Sequence, residues 1–133
     1  MSEQNLDQQC AQYGWEMADQ VYQALKKGAE NHITKSLGVL QEDGVYAFFL
    51  YQRSRGKSEI EGAKKLEAQA AALLKAVPIK PFDTVTDPLQ AVRGDKATKG
   101  LADDLDSLLL AKRLLEQSLI YARYHAKALE GEK

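Results

Sequence analysis

Between Gly100 and Gly131 the chain runs through thirty residues without a glycine or a proline, and that stretch limits the fold more than any other. Leu101 to Glu130 is rich in Leu, Ala, Lys, Arg and Glu, the residues that lose least on entering a helix. Apolar or small side chains fall at Leu101, Leu105, Leu108, Leu115, Leu119, Ala122, Ala126 and Leu129, with Lys112 the one missed beat. Alternating steps of four and three place them on one helix face. A second stripe, Leu110, Leu114, Tyr121 and Tyr124, runs well over a third of a turn round. A helix with two apolar stripes packs on two sides, so the spacing predicts the central post of an antiparallel bundle, roughly 45 Å long. Asp103, Asp104 and Asp106 at its start and Lys127 near its end suit the helix dipole.

The chain has 133 residues, enough to close one core without a metal or a disulfide, and residues 1–133 read as a single domain. With 44% hydrophobic and 28% charged residues it has the composition of a folded protein. A net charge of −1 argues against a protein that grips nucleic acid by bulk charge alone, and leaves room for a local basic face. Cys10 is the only cysteine, so there is no disulfide framework, which fits a reducing compartment. Met1 to Cys10 lacks the basic region and apolar run of a signal peptide. The longest apolar run, Val45 to Tyr51, is too short to span a bilayer. The expectation is a soluble, cytoplasmic protein with no membrane partner.

In order, the first helix is expected from Glu3 to Lys27. One stripe holds Leu6, Cys10, Tyr13, Met17, Val21 and Ala24; a second holds Trp15, Ala18, Tyr22 and Leu25. Gly14 in its middle costs about 1 kcal/mol against alanine and suggests a close neighbour. Gly28 stands where a left-handed C-cap would. A shorter helix is expected from Ile33 to Glu42, closed by Asp43-Gly44, then an apolar helix from Val45 to about Arg55, capped by Gly56. The seven residues Val45 to Tyr51 cover every side of a helix, so that segment is buried all round or keeps one side for another protein. Ser58 to Val77 reads as a fourth helix, with Ser58 and Glu61 at capping-box spacing and Ile60, Ala63, Leu66, Ala70, Leu73, Leu74 and Val77 facing inward. Ala68, Ala71 and Ala72 are small enough to admit a second helix. Three prolines from Pro78 to Pro88 forbid regular helix, and Asp87-Pro88 opens a short one that Gly94 ends. Asp95 to Gly100 connects to the long helix, and Gly131 to Lys133 is expected to fray. The fold class is therefore all-α: a bundle of five to six helices with a long C-terminal one.

Catalytic chemistry is hard to assemble from these residues. His32 and His125, read as one loop histidine and one helix-surface histidine, have no partner ligands at helical spacing, so no metal is expected. Cys10 falls on an apolar stripe with no base in view, which marks it as core. No phosphate loop or dinucleotide fingerprint occurs, and neither an enzyme nor a cofactor is expected. The basic residues are more informative. Arg53, Arg55, Lys57, Lys64 and Lys65 stand against only Glu59 and Glu61, with Tyr51 nearby, a combination suited to a sugar-phosphate backbone. Arg113 and Arg123 on the long helix join them as candidate RNA contacts. The plainer alternative for all seven is the solvated charge of helix ends and bundle faces.

Three stretches carry a resemblance. They are Gln9-Cys10-Ala11-Gln12-Tyr13-Gly14-Trp15-Glu16-Met17-Ala18 leading to Val21, Asp43-Gly44-Val45-Tyr46-Ala47-Phe48-Phe49-Leu50, and Leu119-Ile120-Tyr121-Ala122-Arg123-Tyr124-His125-Ala126. Together they resemble the small all-helical subunit of type III-B CRISPR effector complexes, the fifth Cmr protein. The resemblance implies a non-catalytic scaffold that stacks with copies of itself beside the other Cmr effector subunits. It also implies a share in holding the guide-paired target RNA, with cleavage left to other subunits. The alternative is a helical protein–protein adaptor without a nucleic-acid role, docking through the side around Tyr46 to Tyr51.

Overall fold

The computed structural model describes residues 5–131, and within them the chain is all-α, with no strand. The first helix, α1, spans Leu6–Leu25 and begins where the Asn5 side chain accepts the Gln8 N–H at 3.0 Å. Glu3, its expected start, lies outside the described residues, as do residues 132 and 133 of the tail. The expected left-handed cap at Gly28 does not form. Gly28 has φ −84°, and Lys26 takes the positive φ of 54° directly after α1, its ammonium 5.4 Å over the Tyr22 ring. One 3₁₀ turn, Lys26–Gly28, then leads into α2 at Ala29–Asp43. That early start corrects the reading of His32 as a loop residue, because it sits in the first turn of α2 and is fully buried.

Gly44 closes α2 at φ 98°, its N–H bonded to Leu40 O at 3.0 Å, and α3 (Val45–Arg53) starts at once. Helical spacing then separates the apolar run into two sides. Val45, Phe48, Phe49 and Gln52 are buried, while Tyr46 and Leu50 remain 37% and 48% exposed. α3 ends at Arg53 rather than Arg55, with the Ser54 N–H turned back to Leu50 and Tyr51 carbonyls. α4 spans Ile60–Ala76. The expected Ser58–Glu61 capping box is absent, because Ser58 lies in the preceding turn and α4 starts with no side-chain cap. Ala71 packs against the core, and Ala68, Ala71 and Ala72 line a surface depression with residues 82–86.

The proline segment contributes to the core despite its irregularity. Ile79 and Phe82 are buried, and the Phe82 ring centroid lies 5.9 Å from that of Phe49. α5, Pro88–Arg93, forms as expected: Asp87 accepts the Leu89 N–H at 3.3 Å, and Gly94 ends the helix at φ 71°. The connector folds back so tightly that a Cβ on Gly100 would strike the Gly94 nitrogen and the Val92 oxygen. The long helix begins later than its sequence suggests. Leu101–Asp103 is a 3₁₀ turn that buries Leu101, and α6 runs Leu105–Gly131, about 40 Å.

α1, not α6, occupies the middle of the domain. Its main neighbours are α6 on one side and α4 on the other, while α6 lies against α1 and α2 and touches α3 and α4 little. The expected two-sided post therefore holds only from Ala111 onward; Leu105 and Leu109 are 66% and 54% exposed. α2 and α6 are antiparallel, with Glu30 beside Glu130 and Gln41 beside Glu116. α1 and α6 run in the same direction, because Cys10 meets Leu114, Gly14 meets Ser118 and Ala122, and Trp15 meets His125. Gly14 permits that pairing. A Cβ there would stand 2.8 Å from Ser118 O and 2.9 Å from Tyr121 Cβ, so the two backbones approach as only a glycine allows.

Candidate nucleic-acid interface

The basic junction between α3 and α4 is real in space but largely neutralised. The Arg53 guanidinium ends α3 and spans to two other elements, holding Glu67 of α4 through Nε and one terminal nitrogen (3.2 and 2.9 Å) and Asp87 at the start of α5. The hydrogen bonds that Arg53 donates to Glu67 and Asp87 raise its pKa further above the ordinary value, so it is charged at every working pH. Partial burial works the other way at Asp87, yet its bond to Arg53 holds the carboxyl below the ordinary range. Arg53 thus ties α3, α4 and α5 together, with both carboxylates already where a phosphate would bind. Arg53 and Lys64 line one shallow depression of about 340 Å³ with Glu67.

Arg55 is also engaged. Its guanidinium lies 3.8 Å from the centroid of the Tyr51 ring, donates to Tyr51 O at 3.1 Å and reaches Glu59 at 3.4 Å. Lys64 faces Glu61 at 3.7 Å. Lys57 and Lys65 are exposed and form no ion pair among the described residues. Arg113 is set apart, lining a groove with Leu6, Asp7, Cys10, Leu110, Leu114 and Gln117 between α1 and α6. Arg123, also on α6, lies 5.3 Å from the centroid of the Tyr124 ring. The fold therefore gathers five of the seven sequence-chosen cations at one junction and places Arg113 and Arg123 elsewhere.

Tyr51 does not project outward as a free stacking ring. It lies 17° from parallel with the His32 ring at 6.1 Å, so Arg55, Tyr51 and His32 are joined in a series of ring contacts. Beneath them is a buried polar chain that sequence reading missed. The Gln52 amide nitrogen donates to Ser36 Oγ at 2.8 Å, which leaves its Oε1 to accept from His32 Nε2–H at 2.8 Å. That assigns the neutral Nε2–H tautomer, with Nδ1 buried and without a hydrogen-bond partner among the described residues. Burial lowers the His32 pKa, against the pull of the Gln52 hydrogen bond. The four-residue spacing of His32 and Ser36 was a signal for one shared face, hidden only by the assumed later start of α2.

Among the described residues no group of three or more His, Cys, Asp or Glu side chains could hold a metal, and no helix is long and apolar enough to cross a membrane. Cys10 is buried, its Sγ 3.5 Å from Leu114 O, and burial raises its pKa, which keeps the thiol protonated. No family model, curated protein or solved structure matches the chain.

Proposed function

We propose that this chain is a non-catalytic small subunit of a type III-B CRISPR RNA-guided effector complex, where it lies beside the backbone subunits and helps hold target RNA. The observation that carries the reading is where the three resembling stretches fall. They fall in the middle of α1, in the Gly44-led helix α3, and in the part of α6 that lies on α1. The likeness thus resides in the residues that build the domain rather than in its loops. Scaffolding suits a chain whose interior is filled by apolar side chains and whose polar network is enclosed between α2 and α3. Phosphate contacts would hold RNA without reading its sequence, leaving specificity to guide pairing.

On this reading the RNA contacts fall to those candidate cations with no carboxylate partner among the described residues, Lys57, Lys65, Arg113 and Arg123, while Arg53 works mainly as a structural clamp. Changing those four together to alanine should weaken target RNA binding by the assembled complex at least tenfold. It should also lower the salt slope by about one for each phosphate no longer neutralised. Unchanged affinity and slope would remove these residues from the RNA path. A second reading, a protein–protein adaptor, is favoured by the exposed Tyr46 and Leu50 side of α3. It predicts capture of a protein partner with no RNA.

A further inference from the structure

The outer seam between α1 and α6 has chemistry that the α3–α4 junction lacks. Trp15, the only tryptophan, stays 47% exposed on α1 with the His125 ring against it edge to face, centroids 5.2 Å apart. Tyr124, the residue before His125 on α6, is 63% exposed, and the Arg123 guanidinium lies near its ring. Lys127 is exposed one turn further on. Neither Arg123 nor Lys127 forms an ion pair among the described residues. The carboxylates near this seam have neutral donors: Asp7 accepts the Tyr121 hydroxyl at 2.7 Å, Asp19 the Gln23 side-chain amide at 3.0 Å, and Glu130 the Glu30 N–H at 2.6 Å. Uncovered aromatic rings beside unpaired cations attract a polyanion whose units carry flat rings of their own.

We propose that Trp15 and Tyr124, flanking His125 on the α1–α6 seam, form a base-stacking platform for single-stranded nucleic acid, with Arg123 and Lys127 meeting its phosphates. Every base offers a π-face, so such a platform holds the strand whatever its sequence. The inference rests on the surface chemistry of the seam and stands apart from membership of an effector complex.

Trp15 supplies its own reporter, since all tryptophan emission comes from it. The full chain is titrated with a twelve-residue oligouridylate, reading Trp15 fluorescence and the anisotropy of end-labelled RNA together. The platform predicts quenching that follows the anisotropy curve. Tyr124→Ala and Trp15→Ala should each weaken binding roughly tenfold, and Trp15→Phe should restore most of it. Tyr124 projects far enough into solvent that its removal leaves the fold intact, which circular dichroism verifies. Binding with unchanged Trp15 emission overturns the proposal, as does the absence of binding at millimolar RNA. Quenching in a chain that associates with no effector subunits would leave the platform standing and refute the assembly.

Discussion

Gly14→Val should lower the stability of the domain by about 1–2 kcal/mol, a net of two opposing effects. Removing a mid-helix glycine gains up to about 1 kcal/mol of helix propensity. The added atoms meet Ser118 O and Tyr121 Cβ at distances no real side chain tolerates, and one of these is backbone. Neither α1 nor α6 can yield alone, because α1 is packed between α6 and α4. Overpacking of this kind costs about 1–3 kcal/mol and sometimes more, so the clash wins. At this size the loss corresponds to a fall in Tm of about 5–8 °C. Gly14→Ala should show a smaller loss in the same direction. A melting temperature equal to or above the parent's in either variant would mean that the first and last helices are not in this contact.

The second large effect is expected at the buried chain of His32, Gln52 and Ser36. Gln52→Ala removes the acceptor for His32 Nε2–H and the donor for Ser36 Oγ, both inside the contact of α2 with α3. Each orphaned buried group costs about 1–3 kcal/mol, so a loss near 3 kcal/mol is expected, with part of it from the cavity. The same site makes stability depend on pH. Burial lowers the His32 pKa below that of the unfolded chain, so between the two values the unfolded state binds more protons. Stability is then complete above the unfolded value of about 6.5 and declines as pH falls through it. Lys35 and Arg55 add to the cost of protonation, whereas Glu59 offsets some of it. Urea titrations from pH 8 to pH 5 on the parent and on His32→Phe would separate the contribution. The parent should lose stability over that range, and the variant should follow a flatter curve. Equal slopes in both would show that His32 does not titrate with folding.

Local signals in the sequence located most of the helices, while anything set by distant residues stayed hidden. Asp87-Pro88 and Gly94 framed α5, Asp43-Gly44 separated α2 from α3, and Gly14 marked a close neighbour, because each acts on backbone within a turn of itself. Gly28 misled: glycine commonly ends a helix in the left-handed region, yet here Lys26 turns the chain, and α2 starts early enough to carry His32 inside. Ser58 misled in the same way, since its spacing to Glu61 fits a cap that the turn after Gly56 does not permit. At the junction, sequence counted Arg53 as a free cation. Its partners Glu67 and Asp87 lie 14 and 34 residues away, and no helical spacing connects them to it. Leu105 and Leu110 belong to the two apolar stripes in sequence but remain exposed. The shared direction of α1 and α6 joins the two ends of the chain, a pairing that periodicity does not encode.

The central claim, a helical subunit whose role is to hold RNA within a larger assembly, is tested most directly by purifying the tagged chain from its own cells. The protein and RNA that accompany it are then identified. The account predicts CRISPR effector subunits together with short guide RNAs, retained through a salt wash that strips non-specific nucleic acid. Recovery of a different protein partner, free of guide RNA, would contradict it.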